Sequence, residues 1–277
     1  MSKIRCATAM AVGLMAATAA SSGRATVLFS ADFQADVPGT PPAIVGNVLQ
    51  NGTTTQVTTT SAGTDPFGVA GNQSMQLIDQ DGTGNGYRAS IALLPLPSTA
   101  SDLIIEMDML YRAPVGGWTV TNIFIGDSVG GALPWFPNAN AVQVFPALTS
   151  GGVGSVGQPG GFYSQGAVGG GGVVIAADRP FQLKVVTNSA MQTYRTYVDG
   201  TLLGWNFGGG TVFDVPTQGT DLINMITFTS EGLGVPSMGD VFVDNIVVTA
   251  IPEPASIGLS LLSCCAVVAA KRRYARR

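Results

Sequence analysis

Apolar and polar residues alternate along most of this chain in runs of five to ten, and Gly, Pro, Asn and Asp punctuate the gaps. Helical periodicity is nowhere sustained, so the pattern predicts short strands throughout. Thr26 to Phe33 is the first, followed by the turn-forming Asp36-Val37-Pro38-Gly39. Thr53 to Thr60 is rich in Thr and poor in apolar side chains, which suits the edge of a sheet better than a core. Ser74 to Asp79, Tyr87 to Leu93, Leu103 to Arg112, Trp118 to Gly126 and Ala141 to Leu148 come next. Between Gly151 and Gly172, 11 of 22 residues are glycine, which reads as a long flexible loop. Beyond it, Phe181 to Val186 alternates cleanly, and Thr193 to Val198 leads into Asp199-Gly200, a two-residue turn of the kind that needs positive φ. Thr201 to Trp205, Leu222 to Thr229 and Val241 to Thr249 complete the set. About a dozen strands without a helix argue an all-β, two-sheet antiparallel sandwich over residues 26–250.

The two ends break the pattern. Lys3 and Arg5 precede a small apolar stretch, Cys6 to Ala20, with an Ala-x-Ala site at Ala17-Thr18-Ala19; residues 1–25 thus read as a secretory signal peptide. Residues 251–277 join Pro252-Glu253-Pro254 to an apolar run, Ala255 to Ala270, and a basic end, Lys271 to Arg277. The run is predicted as a transmembrane helix of about 24 Å, short of a ~30 Å hydrocarbon core, with terminal Arg side chains free to snorkel. Its basic flank sets the C-terminus on the cytoplasmic side and the rest of the chain outside. This tripartite tail resembles the PEP-CTERM sorting signal of exopolysaccharide-producing bacteria. The resemblance implies that Pro252, Glu253 and Pro254, with Arg272 and Arg273, are read by an exosortase. That enzyme, a membrane cysteine protease-transpeptidase, removes the anchor. The implied partners are the secretion translocon and the exosortase. The implied location is an exported protein, transiently anchored and then at the cell surface or in the matrix. A plain C-terminal membrane anchor is the alternative.

Removing the ends changes the charge and the chemistry. Cys6, Cys264 and Cys265 all lie in the terminal segments, so residues 26–250 contain no thiol and no disulfide. Those residues carry sixteen acidic groups against Arg88, Arg112, Arg179, Lys184 and Arg195, a net charge of −11 that the whole-chain value of −4 conceals. Such a domain repels phosphate backbones, which excludes nucleic acid as a partner. There is no histidine, so the commonest general base and transition-metal ligand are absent.

The stretch FQLKVVTNSAMQTYRTYVDGTLLG, with LFSADF near the start and VFVDNIVV near the end, resembles the laminin-G/concanavalin A-like lectin fold. The resemblance implies a jelly-roll sandwich with paired first and last strands. In IIEMDMLY, Glu106 and Asp108 share a strand face. The run is similar to the E-x-D-x-x-E strand of β-glucanase-type glycoside hydrolases, but Tyr111 stands where the acid/base glutamate belongs. A retaining glycosidase needs two carboxyls ~5–5.5 Å apart, and no second one is visible. Asp79-Gln80-Asp81-Gly82-Thr83-Gly84-Asn85-Gly86 has the alternating oxygens of a calcium loop. It fails as an EF-hand, whose first and twelfth positions would be Leu77 and Arg88. A different calcium loop using Asp79, Asp81 and Asn85 stays open beside ordinary turn chemistry; no other cofactor is implied. Among the aromatics, Trp118 and Trp205 sit on alternating strands and read as core. Trp135, held between Pro134 and Pro137, and Tyr163 in the glycine run are candidates for stacking on sugar rings. The function that fits best is a non-catalytic exported surface or matrix protein that binds glycan, with exopolysaccharide a candidate partner. A glycoside hydrolase and a purely structural module are the alternatives.

Overall fold

The structure, a computed structural model, describes residues 25–49, 55–61, 63, 65–79, 88–92, 102–113, 118–126, 140–149, 151–157, 173–188, 192–207, 210–216, 223–230 and 239–251. Of the two predicted terminal segments, only Ala25 and Ile251 are among these residues. Eighteen strands and no helix occur among them. In chain order they begin β1 (Thr26–Ala31), β2 (Val45–Leu49), β3 (Thr55–Thr59), β4 (Met75–Asp79), β5 (Arg88–Ala92) and β6 (Asp102–Tyr111). The middle of the chain gives β7 (Trp118–Gly126), β8 (Asn140–Thr149), β9 (Val153–Gly157), β10 (Val174–Ala176), β11 (Phe181–Asn188) and β12 (Thr193–Val198). Last come β13 (Thr201–Leu202), β14 (Trp205–Phe207), β15 (Gly210–Val212), β16 (Val215–Pro216), β17 (Met225–Ser230) and β18 (Asp240–Ile251).

Two antiparallel sheets form. The nine-stranded sheet runs β13-β12-β11-β6-β18-β4-β3, with β1 added to β18 and β16 to β12. The seven-stranded sheet runs β10-β9-β8-β7-β17-β5-β2, and β14 and β15 make a separate ribbon. Strand alternation decides what lies between the sheets. From the nine-stranded side come Ile105, Met107, Met109 and Tyr111 of β6, Leu183 and Val185 of β11, and Val241, Val243, Ile246 and Val248 of β18. Facing them are Ile123 and Ile125, Val142 and Val144, Ile226 and Phe228 of the seven-stranded side. All belong to one cluster of buried side chains, so the sheets share a single core as a sandwich does.

The hairpin at Asp199-Gly200 forms as its sequence requires, with φ of 48° and 76° at the two turn residues. The Thr-rich β3 does end its sheet. The glycine run departs from the expectation of a loop throughout, because Val153–Gly157 is a paired strand. The reason is close approach: a Cβ at Gly154 would collide with the backbone carbonyl of Ala147 on β8. Glycine here is what lets the strand sit against its neighbour.

β18 holds the larger sheet together. It pairs along its whole length with β6 on one side. On the other side its first four residues pair with β4, and Ile246 to Ala250 pair with β1. A bulge between Asp244 and Val247, with Asn245 at φ 49°, marks the change of partner.

Candidate functional site

The strand in which Glu106 and Asp108 resemble part of a glycoside hydrolase motif is β6. It lies in the middle of the nine-stranded sheet, paired with β11 as far as Met109 and with β18 without a break from Asp108 to Tyr111. Alternation therefore sends Glu106 and Asp108 to the outer face and Tyr111 into the core. Tyr111 is fully buried, stacked on Phe181 at 6.1 Å, and its hydroxyl donates to the Pro146 carbonyl at 3.3 Å. Burial pushes its phenol well above the ordinary range. It is a core residue, and without a bulge even a glutamate at 111 would point away from Glu106.

The outer-face carboxylates have protein partners. Glu106 Oε1 meets Lys184 Nζ at 3.1 Å, its direct neighbour on β11. Asp108 Oδ2 accepts from Asn245 Nδ2 at 2.9 Å. Asp244 is opposite Asp108 on β18 and is 1% exposed. Its carboxylate accepts from the Asn245 backbone at 2.8 Å and from Asn72 Nδ2 at 2.8 Å. Burial first, then the charges of Asp65 and Asp108, push its pKa up to about 6, against the lowering by Asn72 and the Asn245 amide. Asn72 also donates to Asp65 Oδ2 at 3.0 Å and accepts from Gln34 at 2.7 Å. A raised carboxyl beside a second carboxyl is the arrangement of an acid/base pair. Here both oxygens of the raised one are taken by the Asn245 amide and Asn72, so the network ties the loop before β4 to the bulge of β18.

The outer face of the seven-stranded sheet is built differently. Asn122 and Phe124 of β7, Phe145 and Ala147 of β8, and Met225, Thr227 and Thr229 of β17 alternate with the core residues and turn away from the core. Yet Asn122 and Thr227 are 1% exposed and Phe124, Thr229 and Met225 are 8% exposed. Asn122 faces Thr229 across one ladder, Phe124 faces Thr227, and Phe124 meets Phe145 edge-on at 6.3 Å. The Asn122 side-chain oxygen is buried and accepts no hydrogen bond. Leaving such a group unpaired costs about 1–3 kcal/mol.

Of the candidates from sequence, Trp135, Tyr163, Asp81 and Asn85 lie outside the described residues, as do Pro252, Glu253, Pro254, Arg272 and Arg273. Asp79, Trp118 and Trp205 are placed on strands, but their side chains also lie outside the description. Among the described residues no three acidic or thiol groups are grouped closely enough for a metal. Sequence reading missed Asn122, Thr227 and Thr229. Only the polar residues within the apolar run WTVTNIFIG hinted at them, and register was needed to bring the three together.

No family model and no curated protein matches the sequence. Solved structures do resemble it. A carbohydrate esterase of the Shiga toxin-encoding bacteriophage phi24B is similar at TM-score 0.51 and 11% identity, over 83% of this chain and 100% of that one. A sialidase gives 0.48 at 13% identity over 80% of this chain, which spans only 18% of the sialidase. A cellulose-induced protein gives 0.45 at 14% identity, over 79% of this chain and 96% of that one. The likeness to the esterase shows the shared sandwich fold and nothing finer.

Proposed function

We propose that the protein is an exported glycan-binding sandwich of the lectin-like jelly-roll type, without catalysis. Its binding floor is the outer face of the seven-stranded sheet. The observation that carries this is the Asn122 oxygen, buried among Thr227, Thr229 and Phe124 with no donor of its own. A sugar hydroxyl is the donor it lacks, and edge-on Phe124 and Phe145 offer an apolar wall for a ring face. The carbohydrate esterase of similar fold is in keeping with a carbohydrate ligand. The outer face of the other sheet gives no support to hydrolysis, since Tyr111 is turned inward and Glu106 is held by Lys184. In this reading the tail carrying Pro252 to Pro254 is removed by an exosortase, and intact-mass measurement of the exported protein should find Arg277 gone.

The test is Asn122→Ala in the full chain, assayed by retention on immobilised neutral polysaccharides and by melting. Removing an unpaired oxygen should leave melting unchanged or raise it, while affinity falls about tenfold, as the loss of one buried hydrogen bond implies. Unaltered retention with raised stability would reduce Asn122 to a packing defect and overturn the proposal.

A further inference from the structure

A second hollow lies on the outer face of the nine-stranded sheet, where β4, β6 and β18 meet the loop that precedes β4. It is an open hollow of about 390 Å³ lined, among the described residues, by Gly63, Asp65, Gln76, Arg112 and Phe242, a volume within the roughly 300–1,000 Å³ of small-ligand sites. Phe242 is 1% exposed, and the Arg112 guanidinium sits over its ring at 5.3 Å from the centroid. This contact aims a cation with five N–H donors from a fixed platform. Asp65 uses one oxygen on the Phe67 amide and Asn72, while its Oδ1 is buried and has no partner. Gln76 Nε2 is engaged by Asp240 at 2.9 Å.

Charge decides what could enter. Among the described residues of the lining Arg112 is the one cation, and Asp65 lies there with Asp240 beside it. An anion would pair with Arg112 but face two carboxylates. A cation would suit Asp65 but meet the guanidinium. A neutral molecule with adjacent hydroxyls suffers neither: one hydroxyl donates to Asp65 Oδ1 and its neighbours accept from Arg112. We propose that this hollow holds one neutral sugar unit, gripped between Arg112 and Asp65. The site is separate from the Asn122 face and does not rest on it.

The test is calorimetric titration of the full chain with the methyl glycosides of glucose, galactose and mannose, and with glucuronate as the charged probe. One neutral glycoside should bind with Kd of about 1 mM, and Arg112→Met, which keeps an apolar stem over Phe242, should weaken it about tenfold. Glu106→Gln, on the same face but outside the hollow, should leave this binding as it is. Three results would overturn the proposal: no glycoside bound, equal affinity in Arg112→Met with unchanged melting, or tighter binding of glucuronate. Loss of the glycoside in Asn122→Ala would assign the sugar to the other sheet. Glycoside binding by the unmutated chain without retention on any neutral polysaccharide would sink the Asn122 reading alone.

Discussion

The two outer faces of the sandwich follow opposite rules. On the nine-stranded sheet the charges are neutralised locally: Lys184 serves Glu106, Asn245 serves Asp108, and Arg195 grips Asp214 through two hydrogen bonds of 2.6 and 2.8 Å. On the seven-stranded sheet Asn122, Phe124, Met225, Thr227 and Thr229 are uncharged and withdrawn from water and the Asn122 oxygen is left unpaired, while register puts Arg88 on the same face opposite Thr229. Glu106, Asp108 and Asp214 are thus answered by protein groups, while Asp65 Oδ1 over the same sheet is not. Glu106 and Asp108, which the sequence puts forward for chemistry, belong to the answered groups.

The comparison can be broken most forcefully at Phe242, an outward residue of the nine-stranded sheet that is as buried as a core residue. Phe242→Ala should cost about 3–5 kcal/mol, read as a melting drop on the order of 10 °C for a domain of this size. A small drop would mean that Arg112 and the loop above it do not close that face.

Next in size is the response to pH. Asp244 has its folded pKa raised to about 6 from 3.8, and burial raises Asp240 as well. The folded state then holds protons that the unfolded chain releases. The favourable contribution is complete below the unfolded value and is lost as pH rises through about 6. For Asp244 this amounts to roughly 2–3 kcal/mol. Melting should therefore fall between pH 4 and 7, and Asp244→Asn should flatten that slope. A slope unchanged in the variant would place the titration elsewhere.

The smallest effect sharpens the contrast from the catalytic side. Glu106 and Lys184 are about one-third exposed, at 32% and 33%, so Glu106→Gln should alter stability by less than about 1 kcal/mol. The unmodified protein should release no reducing sugar from β-glucans or laminarin. Hydrolysis abolished by Glu106→Gln would reverse the assignment of the two faces.

The strands were legible because alternation is local: Trp118–Gly126 and Thr193–Val198 begin and end where their patterns do. Val153–Gly157 was not, since a glycine strand has no side-chain pattern and is explained only by its contact with Ala147. The outward row of Asn122, Thr227 and Thr229 escaped for a different reason. Asn122 precedes Thr227 and Thr229 by more than a hundred residues in the chain, and pairing between β7 and β17 is what assembles them. Tyr111 taught the converse. Its replacement of a glutamate was legible, but its inward direction follows from a register that the motif alone does not specify.

The position of β18 has a consequence for the order in which the protein can be made. Its partners are β1, β4 and β6, so the nine-stranded sheet has a gap at its centre until the last described strand, Asp240–Ile251, has been synthesised. Pairing of Thr26 with Ala250 joins contacts separated by almost the whole domain, which puts it among slow-folding topologies. Until then β6, β11, β12 and β13 have one another as partners, and β3 has β4, but nothing joins the two halves of the sheet. The final strand is the latch between them.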